Sequence, residues 1–441
     1  MSDNLKVVHY INQFYGGFGG EDTAGMGIVV KEVAVRPGQA LQANLKGRGE
    51  IVATVICGDN YVTENIETAV PEIASIIKKY SPDLFVAGPG FNAGRYGLAC
   101  GAITAAVTEQ LHIPAVTGLY KENPGTELYQ DRCYILESGD HGKYLRKAMQ
   151  SMAAFGLRLV DKDRIGSAKD EGYHGSGPAP VIDYETPAAV RAVNMLLAKY
   201  KHEPFETEVR MPEQEYIELP VMKKPLKEAK IAIVTDGRLV PAGNPDSMPA
   251  VNSKTYKEYD LTGKNALNPA DYEVSHQGYN NAFVNEDPNR LVPVDAMREL
   301  VHDGKIASMF DAYFTTAGVR TSLENAKKFG KSIAEELLSK GVDAVLLVST
   351  LGTSTRCGAA MTRELERAGL PTVHITNLIK ISEGIRPKRI MKGNSVVHVL
   401  GNPEIPHESE VKYRKRLVSQ ALDMLMINPD EGTQYILDNA S

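Results

Sequence analysis

Short apolar runs alternate with helical periodicities through most of this chain. Residues 6–11 (KVVHYI) and 51–56 (IVATVI) are rich in β-branched side chains and predict strands. PEIASIIKKY, over 71–80, predicts an amphipathic helix with proline in its opening turn. DLFVA at 83–87 predicts a buried strand and GPGFNAGRYG a glycine-rich loop. LACGAITAAVTEQL then predicts a helix and IPAVT at 113–117 the next strand, while Cys133 falls in a strand-like run at 132–136. Such alternation builds βαβ units and a mostly parallel sheet covered on both faces.

The pattern fades between 161 and 228, where proline, glycine and charge accumulate, although 187–200 keeps a helical period. It resumes with a strand at 230–235. A helix over 321–340, a strand at 343–348, a helix at 357–368, a strand at 372–375 and an amphipathic helix over 408–427 follow. The expected fold class is α/β, with two Rossmann-like lobes at residues 1–160 and 229–441. Residues 161–228 would be a connector or subdomain, and a C-terminal helix would close the second lobe.

The halves echo each other. PDLFVAGPGFNAGRYGLACGAITAAVTEQLHIPAVT and VDAVLLVSTLGTSTRCGAAMTRELERAGLPTVHIT share an order: Asp, apolar strand, small-residue loop, Arg-x-Gly, helix, proline, β-branched strand. Internal duplication is the reading taken, with the active site in a cleft between lobes outside the strand ends.

Composition narrows the function classes. A net charge of −6, no Trp and only short basic runs argue against a nucleic-acid binder. No apolar stretch approaches the ~20 residues of a membrane span, and the N-terminus has no signal-peptide pattern, so a cytoplasmic protein is expected. The four cysteines, Cys57, Cys100, Cys133 and Cys357, form no CxxC or CxxH pair, so no metal is expected.

Candidate chemistry gathers on a few loops. In VSTLGTSTRCGAA, residues 348–360, hydroxyls and an Arg lead into a helix, with Leu351 at the loop tip. Cys357, near the helix start, would be favoured as a thiolate by the helix dipole; a buried structural cysteine is the even alternative. Gly352, Thr353, Thr355 and Arg356 could hold a carboxylate or phosphate on backbone N–H groups. In the first lobe Asn92 and Arg95 offer an amide and a bidentate anion binder. Asn12 ends the first strand, Asn244 follows a strand in TDGRLVPAGNPDS, and Glu286 lies in the polar run HQGYNNAFVNEDPNR.

These stretches carry a resemblance. VVHYINQFYGGFGGED, VATVICGDNY, SPDLFVAGPGFNAGRYGLACGAI, IPAVTGLYKENPG, VPAGNPD, GYNNAFVNEDPNRLVPVD, STLGTSTRCGA and HVLGNPE run in order over nearly the whole chain. Together they resemble the selenoprotein B subunits of the glycine, sarcosine and betaine reductases. The resemblance implies reductive C–N cleavage of a small carboxylate-bearing amine, with reducing equivalents from thioredoxin-like thiols and no bound cofactor. Its implied partners are a pyruvoyl-bearing subunit, a small selenoprotein A and a protein C that makes acetyl phosphate. An oligomer, free of nucleic acid and membrane, is expected.

The family's selenocysteine-x-x-Cys-x-x-Cys maps onto Leu351, Ser354 and Cys357, so this chain is a non-selenocysteine relative in which only Cys357 keeps a chalcogen. A leucine cannot be a nucleophile or a redox partner. The alternatives are a non-redox cysteine-dependent lyase or racemase, with Cys57 or Cys100 facing Cys357, and a catalytically silent substrate-binding subunit. A further alternative is that Leu351 replaces a reactive natural residue.

Overall fold

The structure, a computed structural model, describes residues 4–175, 177–178, 186–205, 217–218, 220–429 and 433–438. The first sheet holds strands β1 (Leu5–Asn12), β2 (Val29–Lys31), β3 (Gly49–Cys57), β4 (Leu84–Phe91), β5 (Ala115–Leu119) and β6 (Tyr134–Glu137), in the order β2-β3-β1-β4-β5-β6. After it come β7 (Lys230–Thr235), β8 (Leu239–Pro241), β9 (Lys257–Asp260), β10 (Tyr272–Val274), β11 (Ser308–Thr315), β12 (Ala344–Val348), β13 (Thr372–Thr376), β14 (Arg389–Lys392) and β15 (Tyr435–Leu437). Strands β8 and β10 form a ribbon, and the rest form a second sheet in the order β9-β11-β7-β12-β13-β14-β15.

The two sheets share one plan. Each has an antiparallel edge strand, β2 or β9, and parallel pairs inward from it. Each central strand, β1 or β7, lies between the next two parallel strands of its sheet, so the chain reverses its winding there. The correspondence reaches single bonds. Lys6 N donates to Asp83 Oδ2 at 2.8 Å, and Lys230 N donates to Asp343 Oδ2 at 2.9 Å. The return bonds, Asp83 N to Lys6 O and Asp343 N to Lys230 O, are both 2.8 Å.

Buried strands with both faces covered can be apolar throughout, which is why β4 and β12 read as unbroken apolar runs. Small residues bring the covering helices close. A Cβ on Gly101 would lie 2.6 Å from the Tyr129 ring, so helix Gly94–Ala106 can sit against helix Pro124–Tyr129 only as glycine permits.

Several sequence expectations shift. The helix expected at 71–80 runs Ile66–Lys79 with Pro71 inside it, because Asn65 O already accepts from Thr68 N and Ala69 N and nucleates the helix earlier. The helix expected from 357 begins at Gly352. The helical period at 187–200 corresponds to Ala188–Tyr200, while residues 176, 179–185, 206–216 and 219 of the expected connector lie outside the described residues. The C-terminal helix is His407–Leu425, and the chain then adds β15 to the second sheet. No helix among the described residues is long and apolar enough to cross a membrane.

Candidate functional site

In doubly wound sheets the open crevice lies beyond the carboxyl ends of the strands where the winding reverses. In the first lobe that point is the end of β1. Asn12 ends the strand and its Oδ1 accepts from Tyr15 N at 3.1 Å, capping the turn Gln13–Gly16. Its Nδ2 donates to Asp59 Oδ2 at 2.9 Å, and Gln13 Oε1 accepts from Asp59 N at 3.0 Å. Asp59 is 6% exposed, and its Oδ1 has no hydrogen-bond partner. Burial pushes its pKa up to about 6, although Arg95 and the Asn12 amide pull the other way.

Arg95 opens the helix Gly94–Ala106 and is buried. It donates to Asn60 Oδ1, to Gly278 O and, at 2.5 Å, to Glu21 Oε2. Against the burial that opposes its charge, Glu21 and Asp59 hold its pKa above the ordinary guanidinium value. A cavity of about 370 Å³ opens beside this network. Its lining includes Asn12, Tyr15, Glu21, Asp59, Phe91 and Tyr96, with Arg320 contributed by the second lobe. This size is ordinary for a small-ligand site.

The equivalent point of the second lobe is filled. Asp236 follows β7 and accepts from Ser349 Oγ and, at 3.2 Å, from Thr350 N. Ser349 Oγ also meets His374 Nε2 at 2.7 Å, and His374 Nδ1 meets Ser382 Oγ at 2.6 Å. Burial pushes Asp236 up to about 7 against these hydrogen bonds and His374 down to about 3. Leu351 is the N-cap residue of helix Gly352–Arg367 and is 3% exposed. Its side chain packs over Gly278; a Cβ there would lie 3.1 Å from Leu351 Cδ1.

The remaining loop candidates are also tied down. Ser354 Oγ and His276 Nε2 are 3.2 Å apart in the interior. Thr353 Oγ1 accepts from Arg320 N at 3.1 Å, Thr355 Oγ1 lies 2.7 Å from Thr376 Oγ1, and Arg356 reaches Glu122 at 3.3 Å. Gly352 abuts Gly94: a Cβ on Gly94 would sit 2.5 Å from Thr353 N, and one on Gly352 would sit 2.7 Å from Gly94 C. The cleft expected between the lobes is therefore closed where the two helix starts meet.

Cys357 differs from its expectation. The helix begins earlier than the sequence implied, so the thiol lies beyond the first turn, where the dipole fades. It joins an apolar cluster with Phe329, Val345, Leu347 and Met361, with Sγ 3.9 Å from Met361 Sδ. Burial, with the Asp236 charge added, pushes its pKa well above the ordinary thiol value. Cys57 is pushed up to about 12, and Cys100 and Cys133 are likewise raised by burial. All four thiols are free and buried.

Of the other sequence candidates, Asn92 is buried with its Oδ1 unpartnered, and its backbone N donates to Asp140 O at 3.3 Å. Asn244 closes its own turn on Met248, and Glu286 pairs with Arg290 at 2.5 Å on an exposed side chain. Neither lines the cavity. Sequence reasoning did not single out Asp59, Tyr15 or Asp236, and had His276 only as a member of the polar run HQGYNNAFVNEDPNR. An available signal was position: Asp236 follows directly on β7, where the winding of its lobe reverses, and Asp59 lies just past β3, the neighbour of the equivalent strand β1.

Fold and site define a two-lobed, doubly wound α/β protein with a charged, aromatic cavity at the switch point of its first lobe. The model of the family described as glycine/sarcosine/betaine reductase selenoprotein B matches residues 4–350, ending one residue before Leu351. The chain belongs to that family. It is 46% identical over 431 residues to the glycine reductase complex component B subunit gamma of Carboxydothermus hydrogenoformans, covering 98% of this chain and 99% of that relative. Two relatives from Peptoclostridium acidaminophilum, each aligned over 98% of this chain and 99% of their own length, are the sarcosine reductase complex component B subunit beta, at 43% identity, and the betaine reductase complex component B subunit beta, at 36%.

Proposed function

We propose that this chain is a component B-type subunit of a reductase complex, acting on a small amine that carries a carboxylate. The observation that carries the reading is end-to-end similarity to component B subunits of glycine, sarcosine and betaine reductase complexes. In the reaction a C–N bond is cleaved with two electrons and two protons from a dithiol, and the amine leaves. The dithiol comes from thioredoxin-like partners, and the chain itself needs no bound cofactor.

Within the complex this chain's share is to hold and orient the substrate at the Asn12–Asp59–Arg320 cavity. The family chalcogen positions support a second reading of Cys357 as the remaining redox thiol of the site. Its raised pKa and apolar surroundings favour the holding role over that one.

Reconstitution with the partner subunits and a dithiol reductant tests both. Release of amine from a carboxylate-bearing substrate, dependent on this chain, is the expected result. Cys357→Ser is expected to retain more than half of that turnover. Loss of turnover with fold and ligand binding intact would assign the redox step to Cys357. No amine release from glycine, N-methylglycine or trimethylglycine would sink the reductase reading.

A further inference from the structure

One helix of the described chain is amphipathic the wrong way round. Ala188–Tyr200 has no buried residue. Arg191, Met195 and Ala198, four and three residues apart, are its half-buried face, and Arg191 Nη1 donates to Thr186 O at 2.7 Å. Val190, Val193, Leu196, Leu197 and Tyr200 point outward, from 45% exposed at Val190 to 82% at Tyr200. They are five of the fourteen large exposed apolar residues among those described, so ordinary scatter over a surface does not account for them. A free 13-residue helix is marginal in water, and an apolar face turned to solvent does nothing to hold it. The face needs a cover.

Its residue pattern points to what covers it. Val190, Val193, Leu197 and Tyr200 recur at steps of three, four and three residues, the spacing of a coiled-coil seam. The small residues of that seam, both valines, lie in its first half, and the large ones, Leu and Tyr, in its second. Laid antiparallel on a second copy, the seam sets Val190 against Tyr200 and Val193 against Leu197, small against large at every level. A parallel pair would crowd tyrosine on tyrosine and leave a gap between valines. Charge agrees with the antiparallel pair. Asn194 borders the seam on one side and Ala189 and Leu196 on the other, while Arg191 and Lys199 lie on the far face. The two copies of Lys201, just past the helix end, fall at opposite ends of the pair, and the two helix dipoles run opposed. A partner with acidic flanks would find only Lys201 beside the stripe to answer it.

We infer that helix Ala188–Tyr200 packs antiparallel against the same helix of a second copy of this chain, with the two-fold axis level with Met195. Two helices of ~20 Å bury less than the ~1,600 Å² of a standard interface, so the association is weak, with a dissociation constant in the micromolar range. This pairing does not depend on the reductase reading: it joins two copies of the chain whatever reaction they serve.

Sedimentation of the full chain over a concentration series, without other subunits, is the test. A monomer–dimer equilibrium is expected, and Val193→Glu and Leu197→Glu are each expected to weaken it at least tenfold. Neither side chain is buried, so the fold should survive, and an unchanged melting temperature at low concentration checks that it does. Cross-linking then fixes the direction. The four native thiols are buried, so engineered surface cysteines report alone. Mixing Val190→Cys protein with Tyr200→Cys protein under mild oxidation should give a disulfide joining one chain of each, and neither variant by itself should cross-link. A chain that stays monomeric into the hundred-micromolar range, or a dimer that both glutamate variants leave intact, overturns the inference. So does ready cross-linking of Val190→Cys with itself, which belongs to a parallel pair. A monomer whose glutamate variants fail to assemble with other subunits would give the face to a different chain, and overturns it as well.

Discussion

The two lobes build the same crevice and use it in opposite ways. Strand register makes the comparison residue by residue. Val7 pairs with Leu84 as Ile231 pairs with Ala344, and Tyr10 with Ala87 as Val234 with Leu347. Asn12 and Asp236 are therefore equivalent positions at the ends of their central strands. In the first lobe Asp59 stands two residues beyond Cys57, the partner of Asn12. The corresponding position in the second lobe is Gly318, where a Cβ would lie 2.8 Å from Ser354 Cα. One lobe puts a carboxylate at this point and keeps an open cavity. The other puts a glycine there and fills the space with the helix start that carries Leu351 and Ser354. An open crevice belongs to the fold only as an opportunity; the residues at these few positions decide whether it is used.

The largest effect that separates the two sides concerns the arginines of the Arg-x-Gly echo. Arg95→Ala leaves Glu21 and Asp59 without their buried partner, and about 3–5 kcal/mol of stability should be lost in urea unfolding. Arg356→Ala removes one 3.3 Å contact to a partly exposed Glu122 and should cost about 1 kcal/mol. Equal losses would mean that the echo extends to energetics and that the lobes are not divided as described.

Leu351 is next. Truncation to Ala empties a packed position over Gly278 and should cost about 2–4 kcal/mol, with substrate affinity at the first-lobe cavity unchanged. A loss of ligand affinity in a folded Leu351→Ala protein would show that the filled crevice supports the open one through the Gly278–Arg95 bond. A smaller effect is expected from the thiols. With all four buried and their pKa values raised, iodoacetamide at pH 8 should label none at a rate near that of a free cysteine. Rapid alkylation of Cys357 in the native protein would show that the second crevice opens, and the contrast between lobes would then be one of state rather than of structure.

Much of this plan was readable in advance because parallel strands covered on both faces announce themselves as apolar runs. β1, β3, β7, β12 and β13 fall where the pattern put them, and β4 starts there but runs on to Phe91 through residues expected to begin a glycine-rich loop. The short strands β2 and β15 were not legible: three residues at a sheet edge carry no period of their own. The site was harder. Asn12 was visible as a polar residue closing a strand, and Arg95 as an anion-binding cation in a glycine-rich loop, although it lies in the first turn of helix Gly94–Ala106. Arg95 was read as free to bind a ligand, but Glu21 and the Gly278 carbonyl, far off in sequence, already engage it. Cys357 was read one turn too close to its helix start, and the dipole argument failed with the boundary. Asp59 went unnoticed because its meaning depends on Asn12 and Arg95, which only the sheet brings together.

The last prediction tests whether Asp236, which stands in the place of Asn12 and has no cation partner among the described residues, carries its charge as Asp59 does. Its folded pKa of about 7 lies above the ordinary carboxylate value of 3.8, so between those limits the native protein holds a proton that the unfolded chain has released. The unfolded state then binds fewer protons, and this group makes stability fall as pH rises from about 4 to about 7. Asp59 contributes the same sign over a shorter window that closes near pH 6. The buried histidines oppose both: His276 and His374, held down to about 3, make stability rise with pH until the unfolded imidazoles lose their protons near 6.5. The whole-protein curve mixes these slopes, so the difference between parent and Asp236→Asn is the quantity to measure. Asparagine preserves an acceptor for Ser349 and removes the titration. The difference in unfolding free energy should therefore drift in the variant's favour up to pH 7 and level off above it. A drift that stops at pH 6 would assign the titration elsewhere. A flat difference would mean that Asp236 ionises in the native protein as it does unfolded, with solvent or a cation reaching a crevice that the packing of Leu351 and Ser354 closes.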